Sequence, residues 1–209
     1  MWPQTTHDSA NGCGLAPSKM GLIGWVSAVT FASAYLVMTA LHELAHAVAA
    51  VAYGLDPVVW YGTKILHAPG GAGPETVIAL AGPVFSLLSG LALLALGRAG
   101  RGGAGLFPLW LGLLSVGAFF GYLLSGPFPS ASGDIATAVR LQRVPIGLAF
   151  LGALAGMGGL VWLGAVVSVC FHQLAPDGTS PPAALRRLGW LPFLAGIIPL
   201  VLIGTPAPS

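Results

Sequence analysis

Long apolar runs with almost no charge are the feature of this chain that most constrains its fold. Five of them have about 17 to 25 residues or more, the length that a helix needs to cross a hydrocarbon layer of roughly 30 Å. Water is absent inside a bilayer, so a spanning segment must satisfy its own backbone hydrogen bonds as a helix does. The sequence therefore predicts an all-α fold, a polytopic transmembrane helical bundle of about five spans, within residues 21–54 and at about 75–97, 106–125, 146–171 and 188–204.

Composition agrees with this class and excludes others. Charged residues make up 7% of the chain and hydrophobic residues 56%, whereas soluble domains carry roughly 25% charged residues. The formal net charge of +2 is too small and too scattered to indicate a nucleic-acid partner. We expect a multi-pass integral membrane protein whose main surroundings are the lipid bilayer.

A cluster of ionisable residues interrupts the first apolar run. His42, Glu43 and His46 form an H-E-x-x-H pattern. Histidines at i and i+4 share one helix face and can bind one metal ion, and the glutamate between them can act as a general base. Ionisable groups at membrane depth mark function by default. The alternative is a pair of histidines that form hydrogen bonds between helices, with Glu43 as a partner.

The crossing count indicates where a third metal ligand lies. If the second span returns and the third crosses again, the segment after residue 125 emerges on the histidine side of the membrane. Pro127 and Pro129 end the helix there, and Asp134 follows. A catalytic zinc has three protein ligands and one open position, so we predict His42, His46 and Asp134 as ligands of Zn²⁺. The alternatives are that Asp134 caps the next helix, or that another acidic or histidine residue on the same side, Asp56, Glu75 or His67, is the ligand.

These residues resemble three motifs of the site-2 protease family of intramembrane zinc metalloproteases. The H-E-x-x-H lies in the first core helix, residues 81–86 read Ala-Gly-Pro-Val-Phe-Ser where the family has Ala-Gly-Pro-x-x-Asn, and residues 119–140 resemble its Asn-x-x-Pro-x-x-Pro-x-Asp-Gly run. The chain departs from the family at Ser86, at the missing asparagine before Pro127, and at Ile135, which replaces a glycine. The chain thus resembles a divergent member, and the match extends over most of its length.

The resemblance implies an organisation and an activity. It covers a metalloprotease-like core of three spans at 20–143, while the polar residues 1–19 predict a flexible tail and the apolar runs after the core predict additional C-terminal transmembrane helices at 144–209. The resemblance implies hydrolysis of peptide bonds in membrane-anchored proteins, with Glu43 as the catalytic base, in a prokaryotic cell membrane and with the metal site toward the cytoplasm. The basic residues of the loops lean mildly toward the opposite orientation.

The loop after the first span is a candidate substrate-binding element. Residues 58–66 are rich in β-forming residues, and an extended substrate can pair with such a strand by β-augmentation. We predict that Trp60, Tyr61, Gly62 and Thr63 contact the substrate, and that Ser86 does so as the counterpart of the family's asparagine. An ordinary interfacial loop anchored by Trp60 and Tyr61 is the alternative.

Two other functions remain open on the sequence. One is a membrane protein that binds zinc without proteolysis, a degenerate relative acting as a scaffold or regulator, which would need the ligands but not Glu43. The other is a small transporter or structural bundle without a metal.

Overall fold

The computed structural model describes residues 17–60, 64–66, 71–99, 102–128, 130, 133–175 and 180–195. Over these residues the chain forms six α-helices and one β-hairpin. In chain order the elements are α1 (Pro17–Ala52), β1 (Val58–Trp60), β2 (Lys64–Leu66), α2 (Ala72–Ala99), α3 (Leu106–Ser125), α4 (Asp134–Leu141), α5 (Ile146–Leu174) and α6 (Pro181–Ala184).

Four of these helices are long and apolar enough to cross a membrane. They are α1 from Gly24 onward, α2, α3 and α5, each with at most a few charged residues over its apolar window. The protein is thus an all-α helical membrane bundle, and the first four predicted spans are confirmed. In the fifth, the described part is a π-helical turn, Leu185–Trp190, followed by helix to residue 195. Its remainder lies outside the described residues.

The start of the first helix differs slightly from the prediction. Helix α1 begins at Pro17, so residues 17–19 belong to the helix rather than to the tail, and residues 1–16 lie outside the described part of the chain. Proline suits a first helical position because it has no N–H group that would be left unpaired there. The segment after α1 is a short antiparallel hairpin in which Val58 pairs with Leu66 and Trp60 with Lys64.

Helix α3 is the centre of the bundle and packs against α1, α2, α4 and α5. Its contact with α2 is close because glycines face it. A Cβ atom built on Gly112 would lie 2.7 Å from the backbone nitrogen of Leu94, so any side chain there would push the two helices apart. Small residues at such crossings let transmembrane helices approach, since apolar burial gives little driving force in lipid.

The apolar core lies in the half of the bundle that contains the beginnings of α1 and α3. Trp110 contacts Phe31 and Phe171 with ring centroids 5.0 Å and 5.1 Å apart. Three polar groups are buried with it: Trp110 Nε1 donates to Ser27 Oγ at 2.9 Å, and Ser27 Oγ donates to the Leu188 carbonyl at 2.7 Å. We call these three residues the Ser27 cluster.

The outer faces of the bundle are apolar. Trp25 on α1 and Val161 on α5 are 70% and 72% exposed, and their neighbours along the same faces are also large and aliphatic. An exposed apolar belt of this kind is what lipid contact requires.

The opposite half of the bundle is built differently. The end of α1, the start of α2, the end of α3 and the short helix α4 meet there, with α4 packed on α2 and α3. Gln142, just after α4, donates a hydrogen bond from Nε2 to Thr76 Oγ1 of α2 at 2.8 Å. These contacts fix the position of the segment that begins with Asp134.

Candidate metal centre

The two histidines of the H-E-x-x-H pattern lie one turn apart on the inner face of α1. His42 and His46 are 4% and 6% exposed, and their Nε2 atoms are 3.2 Å apart. The pair lies roughly 9 to 15 Å before the end of α1 at about 1.5 Å per residue. The i, i+4 spacing thus places both imidazoles at one point inside the bundle, as predicted.

Asp134 joins this pair from a distant part of the chain. Helix α3 ends at Ser125, the backbone turns at Gly126 and Pro127, and α4 begins at Asp134 itself. The Asp134 Oδ2 atom is 3.0 Å from His42 Nε2 and 3.4 Å from His46 Nε2. Gly133, not Asp134, occupies the N-cap position of α4, and the Asp134 side chain points to the histidines.

The far nitrogen of each imidazole is held by a partner on α2. His42 Nδ1 lies 3.0 Å from the hydroxyl oxygen of buried Ser86, and His46 Nδ1 forms a hydrogen bond with the Ile78 carbonyl. Partners of this kind fix the ring orientation of metal-binding histidines. Both Nε2 atoms are consequently directed toward Asp134.

A neutral His46 and the Asp134 carboxylate bring two acceptors together at this centre. A carbonyl can only accept, so the proton between His46 and Ile78 resides on Nδ1, and the Nε2 atom of a neutral His46 presents a lone pair. The Asp134 carboxylate is also an acceptor, and it faces the same point. Acceptors that converge in an apolar interior need added protons or a metal ion to offset their repulsion.

The spacing of the three atoms fits a metal ion. In a tetrahedral zinc site the bonds are about 2.0–2.1 Å long, so ligand atoms lie roughly 3.3 Å from one another. The three edges observed here are 3.0, 3.2 and 3.4 Å. His42, His46 and Asp134 therefore form a buried group that could hold a metal ion.

The electrostatics keep Asp134 ionised. Burial raises the pKa of this carboxyl group, but its hydrogen bonds to His42 and His46, together with the charge of the two imidazoles, lower it further and bring the pKa to about 2. Asp134 is thus a carboxylate at any physiological pH, the form that binds a metal.

Glu43 lies on α1 beside the three candidate ligands and is partly buried. It directly follows His42 and precedes His46 by three residues, so it lies on nearly the same helix face as His46. Its carboxylate interacts electrostatically with both histidines and with Asp134. A second carboxylate is thereby available next to the centre without occupying a ligand position.

Two residues that close the site were not singled out from the sequence. The Tyr122 ring stacks on the His42 imidazole with centroids 5.4 Å apart and planes 21° apart. Gly82 lies behind the histidines, where a Cβ atom would come within 2.7 Å of His46 Cε1 and 2.8 Å of His42 Cε1. The Ala-Gly-Pro motif contained the signal for Gly82, whereas nothing in the sequence distinguished Tyr122 from a packing residue.

The predicted substrate-binding residues are only partly covered by the structure. Trp60 is the last residue of β1, and residues 61–63, which include Tyr61, Gly62 and Thr63, lie outside the described part of the chain. Ser86 is buried and holds His42, so the geometry supports an orienting role for it. Substrate contact by these five residues stays a prediction.

The other candidate ligands do not join the group that the structure brings together. Asp56 is exposed in the turn after α1, and Glu75 lies in the first turn of α2. His67 lies outside the described residues. Among the residues that are described, His42, His46 and Asp134 make up the cluster with metal-binding geometry.

Fold and site together define a class: a helical membrane protein with a buried His–His–Asp group that could hold a metal ion. Comparison of the chain with protein-family models, with curated proteins and with solved structures found no match in any of the three.

Proposed function

We propose that this protein is an intramembrane zinc metalloprotease that hydrolyses peptide bonds of membrane-anchored proteins. The observation that carries the proposal is the convergence of His42 Nε2, His46 Nε2 and the Asp134 carboxylate beside a further carboxylate, that of Glu43. Two nitrogens and one oxygen leave one position open in a tetrahedral site, which is the arrangement of catalytic rather than structural zinc. The resemblance to site-2 proteases supports the same assignment.

The chemistry divides between the metal and Glu43. Bound zinc supplies a Lewis acid that polarises a carbonyl group and makes a water molecule more acidic. Glu43 accepts a proton from the attacking water and delivers it to the nitrogen of the leaving amine. Because the ligands come from the interior of the bundle, the reaction takes place at low dielectric, where such electrostatic assistance is strong.

The β-hairpin after α1 is the element that we assign to substrate presentation. A helical substrate hides its peptide bonds, so it must be extended before cleavage, and an exposed strand edge can hold an extended chain. The hairpin follows α1 on the same side of the bundle as the metal centre. Replacing Gly62 and Thr63 with proline should slow cleavage, since proline cannot complete the backbone pairing; an unchanged rate would leave the hairpin as a simple anchor.

The Glu43→Gln variant tests proteolysis against zinc binding without catalysis. Purified protein should contain about one zinc per chain and cleave a membrane-anchored peptide in detergent or liposomes. Glu43→Gln should retain the zinc and lose at least about 10²–10⁴-fold in turnover. Glu75 is the only other glutamate in the chain, so Glu75→Gln is the matched control and should cleave normally.

Two results would contradict the proposal. Full cleavage by Glu43→Gln would remove the base assignment, and zinc binding by a wild-type protein that cleaves no membrane-anchored substrate would favour the scaffold alternative. Trapping with Glu43→Gln and identifying co-purified chains by mass spectrometry would then give the substrate.

We further propose that the metal side faces the cytoplasm, on the strength of the resemblance and of two basic residues, Arg140 and Arg143, that follow Asp134 in the chain. A reporter enzyme fused after Ser209 reports the side on which the chain ends, and accessibility labelling of a cysteine introduced at Asp56 reports the side of the metal centre. If a reagent added outside intact cells labelled the cysteine at position 56, the metal side would face away from the cytoplasm and the proposed orientation would be wrong.

A further inference from the structure

Tyr122 occupies a fixed place between two ligand-bearing elements. One face of its ring stacks on His42 of α1. A Cβ atom on Gly133, the residue before Asp134, would lie 3.3 Å from Tyr122 Cδ1, so the ring also lies against the backbone that leads into the third ligand. Its position is therefore determined by packing alone.

The hydroxyl group of Tyr122 is not explained by that packing. Among the described residues it makes no hydrogen bond, whereas the neighbouring hydroxyls are engaged: Ser86 Oγ with His42, and Ser125 Oγ with the Tyr122 carbonyl at 2.7 Å. Phenylalanine would stack on His42 equally well. A partly buried phenol in an apolar bundle calls for a partner that arrives with the ligand.

The charges around Tyr122 indicate what that partner is. The phenol is close enough to the Asp134 and Glu43 carboxylates to interact electrostatically with both, so it lies beside the proposed reaction centre. Attack on a peptide carbonyl moves negative charge onto the carbonyl oxygen, and a fixed hydrogen-bond donor near that oxygen stabilises the transition state. A tyrosine O–H is such a donor.

We propose that Tyr122 is a catalytic residue whose hydroxyl donates a hydrogen bond to the oxygen of the scissile carbonyl as that oxygen gains negative charge in the transition state; this inference rests on the proposed hydrolysis. The water oxygen bonds to the carbonyl carbon, the C–N bond breaks, and one water proton reaches the amine nitrogen through Glu43. The products are a carboxyl group and an amine. Tyr122 keeps its own proton throughout, because it stabilises charge rather than transferring a proton.

Tyr122→Phe tests the hydroxyl because it keeps the ring on His42. In the zinc-loaded full-length protein, kcat should fall about 10²–10³-fold, as it does when one oxyanion donor is removed, while KM changes less than about twofold. Zinc content and the thermal midpoint should match those of wild type. Tyr53, exposed in the turn just after α1, gives the matched control, and Tyr53→Phe should be fully active.

Ligand binding supplies a second readout that does not depend on turnover. A phosphinic peptide carries a tetrahedral anionic centre, whereas the corresponding peptide bound to Glu43→Gln keeps a planar carbonyl. Tyr122→Phe should weaken binding of the phosphinic peptide about 10- to 100-fold, the value of a hydrogen bond to a charged group. Adding Tyr122→Phe to Glu43→Gln should leave the affinity for the planar peptide unchanged.

Several outcomes would overturn the inference. Wild-type kcat in Tyr122→Phe would remove the role of the hydroxyl and leave the proposed hydrolysis standing, provided that Glu43→Gln is inactive. Loss of zinc, or equal weakening of planar and tetrahedral ligands, would make Tyr122 a positioning residue instead. A zinc-loaded wild-type protein without cleavage would reject the proposed function itself, and the inference with it.

Discussion

Two polar clusters are buried in this apolar bundle, and they differ in how their protons balance. In the Ser27 cluster each donor meets an acceptor: the Trp110 N–H meets Ser27 Oγ, and the Ser27 O–H meets the Leu188 carbonyl. At the candidate metal centre, the Nε2 lone pair of a neutral His46 and the Asp134 carboxylate are both acceptors, and an added proton or a bound metal ion would offset their repulsion. Burial of polar groups therefore does not by itself indicate function in a membrane protein. The relation of donors to acceptors separates a structural link from a ligand site.

The largest expected effect is the loss of zinc when a histidine of the candidate metal centre is replaced, because no replacement in the Ser27 cluster should remove it. His46→Ala should reduce zinc from about one to below about 0.1 per chain and abolish cleavage, because only two ligands remain. Ser27→Ala should retain both zinc and activity. The measurement is zinc by atomic emission on purified protein, with His172→Ala, at an exposed position on α5, as a control for histidine number. Equal zinc in His46→Ala and wild type would place the metal elsewhere.

The complementary experiment removes the Trp110 side chain from the Ser27 cluster. Trp110→Ala should destabilise the protein by about 3–5 kcal/mol, since it opens a cavity beside Phe31 and Phe171 and removes the hydrogen-bond donor to Ser27 Oγ. Zinc bound per folded chain should not change. Thermal unfolding in detergent, paired with metal analysis of the folded fraction, checks both points. Zinc loss without a lowered midpoint would mean that the Ser27 cluster and the candidate metal centre are coupled.

Smaller effects are expected when the serine of each cluster is replaced with alanine. Ser86→Ala should weaken zinc binding about 10- to 100-fold, because His42 loses the partner that orients its ring. Ser27→Ala should instead lower the free energy of unfolding by about 1–3 kcal/mol, because the Trp110 N–H is left unpaired. Competition with a zinc chelator measures the first, and thermal unfolding the second. An unchanged zinc affinity in Ser86→Ala would show that the Ser86 hydroxyl does not orient the His42 ring for metal binding.

The smallest expected effect is on the stability of the fold at low pH. The pKa of Asp134 is lowered to about 2 in the fold, so in metal-free protein its stabilising contribution is full above the unfolded value of 3.8 and is lost as the pH falls toward 2. Asp134→Asn should lack this part of the acid dependence, whereas Asp56→Asn, at an exposed carboxylate, should keep it. Unfolding midpoints of metal-stripped protein across this range provide the test. Superimposable acid curves for wild type and Asp134→Asn would contradict the assignment.

Much of this architecture could be predicted from the sequence, for physical reasons. Span length follows from membrane thickness, which is why helix α3 begins and ends at the predicted residues. The i, i+4 spacing of His42 and His46 is a property of any helix. Asp134 could be placed on the histidine side because the number of membrane crossings fixes the side on which the third span ends. The break at Pro127 ends that helix shortly before this carboxylate.

Other features depend on how the helices are rotated about their axes, which a single sequence does not report. Tyr122 faces His42 only because α3 turns that side toward α1, and the same holds for the Ile78 carbonyl on α2. The π-helical turn at Leu185–Trp190 also has no sequence signature, since it arises where the backbone adjusts to its neighbours. Ser86 was assigned to the right helix by its motif, but whether it faces His42 or a substrate depends on the same rotation.

The ligands are separated by 92 positions along the chain, from His42 on α1 to Asp134 at the start of α4. During synthesis both imidazoles enter the membrane long before the carboxylate leaves the ribosome. A nascent chain that has inserted only its first two spans therefore has a histidine pair but no anionic ligand. If this group holds a divalent ion, stable capture must wait until the third span is in place, and the proposed hydrolysis could begin only after that span has inserted.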